Sequence, residues 1–225
     1  MECFSRGPVR LGHLVVDHAR QARPNAVGLS YVVYGVTMSS IPDIYIPPEE
    51  YLALERKAEY KSEYVDGEMF AMAGGSERHN LIVANIIAGL HNQLVGSPCR
   101  VYPGDLKVRA PKPRFFFYPD VSVVCGETKF HDEHKDVVLN PAVIFEVLSE
   151  GTATFDRGQK FLGYQQLDTL AEYIMVSQDG VLVEHYVRQE SGSWIYTKLS
   201  GLDASLVLPS IECQLELSFI YNNAT

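Results

Sequence analysis

The amino-acid sequence predicts an α+β fold, in which a mixed central β-sheet is flanked by helices and carries added hairpins at its edges. Two apolar runs rich in valine, isoleucine and phenylalanine, residues 115–124 and 141–149, predict strands of the core. Asp66-Gly67 lies between two alternating stretches and predicts a hairpin turn, and residues 190–193 predict another. Stretches with a helical period lie between the predicted strands and supply the helices of the fold.

The chain has 225 residues and is 46% hydrophobic, which suffices for one domain with a proper core. Residues 1–37 show no sustained period and are interrupted by glycine and proline. We therefore expect a flexible N-terminal extension, followed by a domain over residues 38–225. No apolar run is long enough to span a bilayer, and the N-terminus lacks the pattern of an export signal, so we expect a cytoplasmic protein without a membrane partner.

The four cysteines, Cys3, Cys99, Cys125 and Cys213, are scattered without a CxxC spacing. This distribution disfavours both a zinc knuckle and a disulfide framework. We expect the cysteines to be reduced and mostly buried.

The first predicted helix opens with Pro47-Pro48-Glu49-Glu50 and runs through Lys57, since proline and acidic residues are favoured in a first turn. Its side chains Tyr51, Leu54 and Ala58 are expected to face the core.

Ser76 follows two glycines and predicts the N-cap of a second helix. In this helix His79, Val83, Ile86 and Leu90 fall on one stripe. A histidine on an apolar stripe is more often a hydrogen-bonded structural residue than a ligand or base.

The other elements are predicted from alternation and period. They are the hairpin 63–72, the strand 99–109, the helix 154–164, the strand 170–176, the antiparallel pair 181–187 and 194–199, and short alternations over 206–220. The polar loop 127–140 contains two histidines with acids between them, but it has no scaffold that would hold them around zinc. The favoured interpretation is a solvated loop that lies over the entrance to a functional site.

An acidic residue lies inside the second apolar run. Glu146 has Ile144 and Leu148 as its neighbours on the same face of the predicted strand, so its carboxylate is expected to be buried. A buried carboxylate needs a partner, because removing an isolated charge from water is costly. A metal ion or a cationic side chain is the simplest partner.

A second embedded acid is Asp120, in the first apolar run. Pro119 before it cannot donate to a sheet, so the strand is expected to be bulged or at an edge there. After the second strand, the predicted helix places Asp156, Lys160 and Tyr164 on one face. The chain thus presents Pro-Asp, then a strand glutamate, then a helix lysine.

This order resembles the PD-(D/E)xK nuclease superfamily, and the local sequence resembles one bacterial family within it, the Uma-type restriction endonucleases. The resemblance covers roughly residues 41–220. The segments that carry it are Glu63-Tyr64-Val65-Asp66-Gly67-Glu68, Ser76-Glu77-Arg78-His79-Asn80, Pro119-Asp120-Val121, Phe145-Glu146-Val147-Leu148-Ser149, Asp156 with Lys160, and Glu172-Tyr173. It implies a restriction-endonuclease-like fold, hydrolysis of DNA phosphodiester bonds, Mg²⁺ or Mn²⁺ as cofactor and DNA as partner.

The resemblance also implies roles for residues. Asp120 and Glu146 correspond to the metal ligands. The parent superfamily has a lysine two residues after the glutamate, where this chain has Leu148. In the Uma-type family the lysine has moved to the following helix, which makes Lys160 the catalytic candidate.

Three more residues are candidates at the same site. His79 corresponds to a histidine of the family motif, and Glu63 is a candidate fourth acid near the metal. From the sequence alone, Glu63 is equally well a surface carboxylate on an exposed strand. Ser149, like His79, is expected beside the metal ligands.

The formal net charge of −9 disfavours general binding to nucleic acid, so a local positive field is required. The segment before the Pro-Asp motif supplies one: it has a single acid, Asp105, and the cations Arg100, Lys107, Arg109, Lys112 and Arg114. Lys107 and Arg109 are therefore candidates for substrate binding. The alternative is a solvated strand edge that is protected by charge.

Two other functions remain open. The protein could be a non-catalytic binding module in which Glu146 and Lys160 form a buried ion pair. It could also be a metal-dependent hydrolase of RNA or of a small phosphate ester. We expect a homodimer, because nucleases that cut duplex DNA often use two sites related by a twofold axis and the added hairpins leave open sheet edges.

Overall fold

The computed structural model describes residues 45–111 and 114–224. The predicted extension over residues 1–37, the domain start at Met38 and the cation Lys112 lie outside the described residues. The predicted α+β class is confirmed by two mixed sheets, a separate hairpin and helices that pack on them.

The strands are numbered in chain order. They are β1 (Ser62–Val65), β2 (Glu68–Ala71), β3 (Cys99–Pro103), β4 (Lys107–Ala110), β5 (Phe115–Phe117), β6 (Val121–Cys125), β7 (Val137–Val138), β8 (Val143–Leu148), β9 (Glu172–Ser177), β10 (Leu182–Arg188), β11 (Trp194–Ser200), β12 (Ser205–Leu208) and β13 (Cys213–Glu216). The helices are α1 (Pro48–Glu55), α2 (Glu77–Gln93), α3 (Ala153–Phe155), α4 (Phe161–Tyr164) and α5 (Leu217–Ile220). One turn of π-helix (Asp156–Lys160), called the π-turn below, joins α3 to α4.

The larger sheet has six strands in the order β11-β10-β9-β8-β6-β3. Strands β8 and β9 are parallel, and the other neighbours are antiparallel. This is the predicted mixed sheet, and the predicted pair β10–β11 forms a hairpin at its edge. The second sheet has five strands in the order β2-β1-β5-β4-β7 and contains the predicted hairpin β1–β2.

Strand β8 separates two apolar cores. Val143, Phe145 and Val147 pack into a core formed with α2, α5 and the hairpin β12–β13. Ile144 and Leu148 point the other way, into a core formed with α4 and strands β4 and β5 of the second sheet. Because successive side chains of a strand alternate between its faces, Glu146 belongs to the side that faces α4 and the second sheet.

The two sheets arise because apolar runs predicted as single strands are split. The predicted strand 99–109 becomes β3 and β4, and the run 115–124 becomes β5 and β6, with the members of each pair in different sheets. The second break falls at Pro119, which has no N–H group for a sheet ladder. Asp120 therefore lies where the chain crosses from one sheet to the other.

Helix α1 is shorter than predicted and has a different inner face. Tyr51 and Leu52 are buried, whereas Leu54 is 47% exposed, so the prediction that Leu54 faces the core is wrong. Glu55 turns inward because its carboxylate accepts hydrogen bonds from the backbone N–H and hydroxyl of Ser62. This buried polar contact fixes the rotation of the helix.

Two of the cysteines form a disulfide, which corrects the prediction of reduced thiols. Cys99 on β3 and Cys125 on β6 lie directly opposite each other in the antiparallel register and are bonded. Sequence spacing does not reveal such a pair, because it forms only when the two strands align. Cys213 is free and buried, as predicted.

Within residues 45–111 and 114–224, no helix is long and apolar enough to cross a membrane.

Candidate active site

Lys160 lies at the centre of three carboxylates that come from three different parts of the fold. Its Nζ is 2.9 Å from Oε1 of Glu63 on β1, 3.2 Å from Oε1 of Glu146 on β8, and 3.3 Å from Oδ1 of Asp156. All four side chains are buried. Asp156 and Lys160 therefore do not form an exposed pair on a helix surface.

The local structure explains how the lysine reaches this position. Asp156 and Lys160 are the first and last residues of the π-turn. Such turns are rare, and they occur frequently at functional sites. Lys160 follows its turn directly into α4, where Tyr164 lies one helical turn further on and also points at Glu146.

Tyrosines complete the hydrogen bonding of the carboxylates. The hydroxyl of Tyr164 donates to Oε1 of Glu146 at 3.0 Å, and the backbone N–H of Tyr118 donates to Oε1 of Glu63 at 3.0 Å. Oδ1 of Asp156 accepts no hydrogen bond of good geometry from the described residues. The cluster thus holds more acceptor capacity than its own donors satisfy.

Burial and mutual charge shift the titration of the cluster. Burial raises the pKa of Glu146 well above its usual range, with the ammonium of Lys160 opposing the shift, and burial likewise raises the pKa of Glu63. Burial disfavours the ammonium of Lys160 as well, but the surrounding carboxylates outweigh this and raise the pKa of the lysine well above its usual value. Lys160 is therefore a charged hydrogen-bond donor at neutral pH.

Asp120 lies beside this cluster, and its side chain is more exposed to solvent than those of Glu63, Glu146 and Asp156. Its Oδ2 accepts a hydrogen bond of 2.6 Å from the backbone N–H of Val147, the residue after Glu146. Its Oδ1 is 3.2 Å from Nε2 of His79. This contact raises the pKa of His79 and favours the imidazolium form. The side chain of Asp120 keeps 22% of its surface exposed, so the site opens to solvent at this residue.

The first turn of α2 places His79 in this position. Ser76 is the predicted N-cap, and its hydroxyl accepts a hydrogen bond of 3.1 Å from the backbone N–H of His79. Gly75 packs against the imidazole so closely that a Cβ there would lie 2.6 Å from Nδ1. A larger residue at position 75 would displace the ring.

The structure therefore brings five predicted site residues together: Glu63, His79, Asp120, Glu146 and Lys160. Ser149 follows β8 directly and exchanges hydrogen bonds with Thr152 in the turn that leads to α3.

The two cations expected at the substrate have partners of their own. Lys107 is buried, with its Nζ 3.1 Å from Oδ2 of Asp136 and 3.1 Å from the hydroxyl of Tyr118. Arg109 contacts Nδ1 of His131 at 2.7 Å and lines an open cavity of about 410 Å³.

The sequence prediction did not include Asp156 or Tyr164 among the site residues. Both were visible as members of one helix face with Lys160, at intervals of four residues. A buried lysine needs an acidic partner, and an acid four residues away on the same helix is one place to look for it.

A divalent metal fits this set of donors. Asp120 and Glu146 present carboxylate oxygens, the ligands that Mg²⁺ and Mn²⁺ prefer, and Oε2 of Glu146 accepts no hydrogen bond from the described residues. Four carboxyl groups face one ammonium and one imidazole, and a further cation would favour the ionised form of Glu63 and Glu146, whose pKa values burial raises. In the described part of the chain, no three histidine, cysteine or acidic residues are arranged to hold a metal. Mg²⁺ typically takes one or two carboxylates and keeps waters, so two ligands suffice.

The sheets and the flanking helices define a restriction-endonuclease-like protein. The chain is similar in fold to the crystal structure of a "putative nuclease belonging to DUF820" from Anabaena variabilis ATCC 29413, with a TM-score of 0.66. The similarity covers 79% of this chain and 98% of that chain at 17% sequence identity, so it concerns the fold alone.

Residues 48–219 match the model of the Uma2 family, described as "Putative restriction endonuclease". The chain belongs to this family. Two relatives come from Synechocystis sp. (strain ATCC 27184 / PCC 6803 / Kazusa). The "Uncharacterized protein sll1609" is 36% identical over 70% of this chain and 89% of its own length, and the "Uncharacterized protein slr1290" is 33% identical over 81% and 94%.

Proposed function

We propose that the protein is a metal-dependent endonuclease that hydrolyses DNA phosphodiester bonds, with Mg²⁺ or Mn²⁺ held by Asp120 and Glu146. One observation carries the proposal: the buried ammonium of Lys160 contacts Glu146, and Asp120, beside Glu146, is open to solvent. Two acids and a lysine thus lie together beside one solvent-accessible carboxylate, and these are the groups that the proposed reaction would use. Membership of the Uma2 family supports the same reaction class.

A bound metal supplies Lewis acidity, which lowers the pKa of a coordinated water and offsets charge on the phosphate. The protein residues orient the ligands. His79 fixes one oxygen of Asp120 and the backbone N–H of Val147 fixes the other, while Tyr164 and Lys160 fix Oε1 of Glu146. The two carboxylates are thereby held in position before substrate arrives, so little reorganisation is needed in the transition state.

Lys160 acts as a cation and hydrogen-bond donor. Its raised pKa argues against a role as general base, because the neutral amine is scarce at neutral pH. The charged ammonium suits an attacking water or an oxygen of the scissile phosphate, where it stabilises developing negative charge.

We expect substrate binding to depend less on the basic edge than the sequence predicts. Lys107 and Arg109 are already engaged with Asp136, Tyr118 and His131. Ser149, at the end of the strand that carries Glu146, is the remaining candidate for a phosphate contact at the cluster. Affinity for DNA would then depend strongly on the metal, because the acidic site itself repels phosphate.

A non-catalytic binding module is the second candidate. The observation in its favour is that Lys160 already has three carboxylates around its ammonium, which a purely structural ion cluster would also provide. Buried ion pairs contribute little net stability, however, and Asp120 with His79 lies outside that cluster at the surface. The ion cluster around Lys160 does not by itself require this partly exposed Asp120–His79 pair, whereas a metal site would use it.

A plasmid-nicking assay with and without Mg²⁺ tests the proposal. We expect metal-dependent nicking by the parent and by Asp105→Ala, which removes an acid whose side chain is 83% exposed. We expect no nicking by Asp120→Ala. Parallel assays with RNA and a chromogenic phosphate ester identify the alternative hydrolases, and inactivity on all three substrates with any divalent metal would favour the binding module.

A further inference from the structure

The π-turn that carries Lys160 is tied to the sheet on its other side by Arg157. Nε and Nη2 of Arg157 both donate to Oε1 of Glu184 on β10, with Nε at 3.0 Å. The two side chains differ in exposure: 43% of the Arg157 side chain and 11% of the Glu184 side chain are accessible. A surface arginine thus reaches down to a largely buried acid.

The buried position of Glu184 on β10 requires a partner such as Arg157. Glu184 is buried in the middle of β10, where a carboxylate without a partner would be costly. Lys198 lies opposite it on β11, but among the described residues the ion pair of Glu184 is with Arg157. The carboxylate of Glu184 therefore binds the π-turn through Arg157.

The π-turn needs such an anchor, because its own helix is short. It is flanked by three residues of α3 and four residues of α4, and helical segments of this length are not stable by themselves. Two other contacts hold the segment to β9: the hydroxyl of Tyr173 donates to the backbone oxygen of Asp156 at 3.0 Å, and Phe161 stacks on the Tyr173 ring. Arg157 adds the ion-paired contact to the next strand, β10, whose Tyr186 ring also packs against Phe161 with 4.5 Å between the ring centroids.

We propose that the Arg157–Glu184 pair is a positioning device for Lys160. Anchored at two neighbouring strands, the π-turn cannot rotate about its axis, and Lys160, three residues after Arg157, stays directed at Glu63 and Glu146. The expected effect on catalysis rests on the proposed nuclease function, whereas the anchoring of the π-turn does not. An exposed arginine near a nuclease site has an obvious other use, as a contact to a DNA phosphate.

Kinetics separate the two roles. Arg157→Met and Glu184→Gln are each expected to lower kcat roughly 10-fold to 100-fold with little change in Kd for DNA, because a small misplacement of a catalytic group is costly. The swap Arg157→Glu with Glu184→Arg should recover part of kcat. Lys57→Met, which removes an exposed cation after α1, is the matched control and should keep parental kcat.

Glu184→Gln is the decisive variant, because removing a negative charge cannot weaken a phosphate contact. A Glu184→Gln enzyme with parental kcat would overturn the proposal. So would an Arg157→Met enzyme in which only Kd and its salt dependence change, since that is the signature of a phosphate contact.

Hydrogen exchange of the metal-free protein gives a readout that does not need activity. Amides of residues 156–164 should exchange faster in Arg157→Met and in Glu184→Gln, and more slowly again in the swap, while those of α2 stay unchanged. If the parent cleaves no substrate, the proposed function fails, yet this pattern still establishes the anchor. Unchanged exchange in both single variants would refute it.

Discussion

The ammonium of Lys160 lies 3.2 Å from Oε1 of Glu146, although the two residues are 14 positions apart and belong to a π-turn and a strand. The contact depends on the turn, which directs the lysine back along the face of β8. The superfamily that the sequence resembles has a lysine two residues after the glutamate, where this chain has Leu148. Here Lys160, from the π-turn, contacts the glutamate instead.

Replacing either acid is expected to abolish metal binding and to lower cleavage by about 100-fold or more. Asp120→Ala and Glu146→Ala each remove a carboxylate from a site with excess negative charge, so the fold should persist. Isothermal titration with Mg²⁺ or Mn²⁺ measures the loss, with Asp105→Ala as control. Variants that bind metal as tightly as the parent would show that these acids are not ligands.

The stability of the protein should fall in acid through Asp136. Hydrogen bonds from Arg56 hold the pKa of this carboxyl well below its ordinary value of 3.8, and Lys107 lowers it further. A depressed pKa contributes stability that is present above the ordinary value and is lost as the pH falls below it. Asp136→Asn lacks this contribution.

Urea unfolding between pH 7 and pH 2 tests whether Asp136 loses its stabilising effect as the pH falls. The difference in unfolding free energy between parent and Asp136→Asn should be largest near neutrality and should shrink below about pH 4. A difference that stays constant over the whole range would rule out Asp136 as its source.

The disulfide should stabilise the domain. Cys99 and Cys125 are separated by 26 positions, and closing a loop of this size removes about 3 kcal/mol of unfolded-state entropy. Reductant, or Cys125→Ser, should lower Tm by several degrees. Alkylation of the unfolded protein without reductant, followed by mass spectrometry, tests the bond directly: modification of all cysteines would show that it is absent.

The sequence predicted five of the residues that the structure brings together, but not Asp156 or Tyr164, and it predicted most elements. Asp120 and Glu146 are recognisable because an acid inside an apolar run needs a partner, and Lys160 because it follows them on a helix face. The division into two sheets was not predictable. The apolar run over residues 115–124 continues on both sides of Pro119, and only the packing of other strands decides which sheet each half joins.

A homodimer is expected through the open edge of β11. Among the described residues this strand has a neighbour on one side only, and its Ile195 and Tyr196 are exposed. Light scattering at micromolar concentration should give the mass of two chains, and Ile195→Lys should shift it to one by placing like charges across a twofold axis. A single-chain mass for the parent would contradict the prediction.

Replacing Lys160 tests both the site and the fold. Lys160→Met leaves Glu63, Glu146 and Asp156 buried without their cation, so we expect a loss of about 3–5 kcal/mol in unfolding free energy at neutral pH. The pKa of Lys160 lies above its ordinary value, so its contribution is fully present below that value and is lost only in strong alkali. In acid the carboxyls are protonated and no longer need the lysine, so the destabilisation should shrink as the pH falls.

The same variant should lose most of its turnover while its metal affinity stays equal or rises, because a competing positive charge has been removed. Lys198→Met, which removes an exposed lysine on β11, is the control for the loss of one charge. Titration calorimetry and plasmid nicking at a temperature where the variant is folded separate the two effects. If Lys160→Met cleaves nearly as fast as the parent while Asp120→Ala is inactive, the lysine has a structural role only and another cation serves the reaction, with His79 at the solvent opening the next candidate.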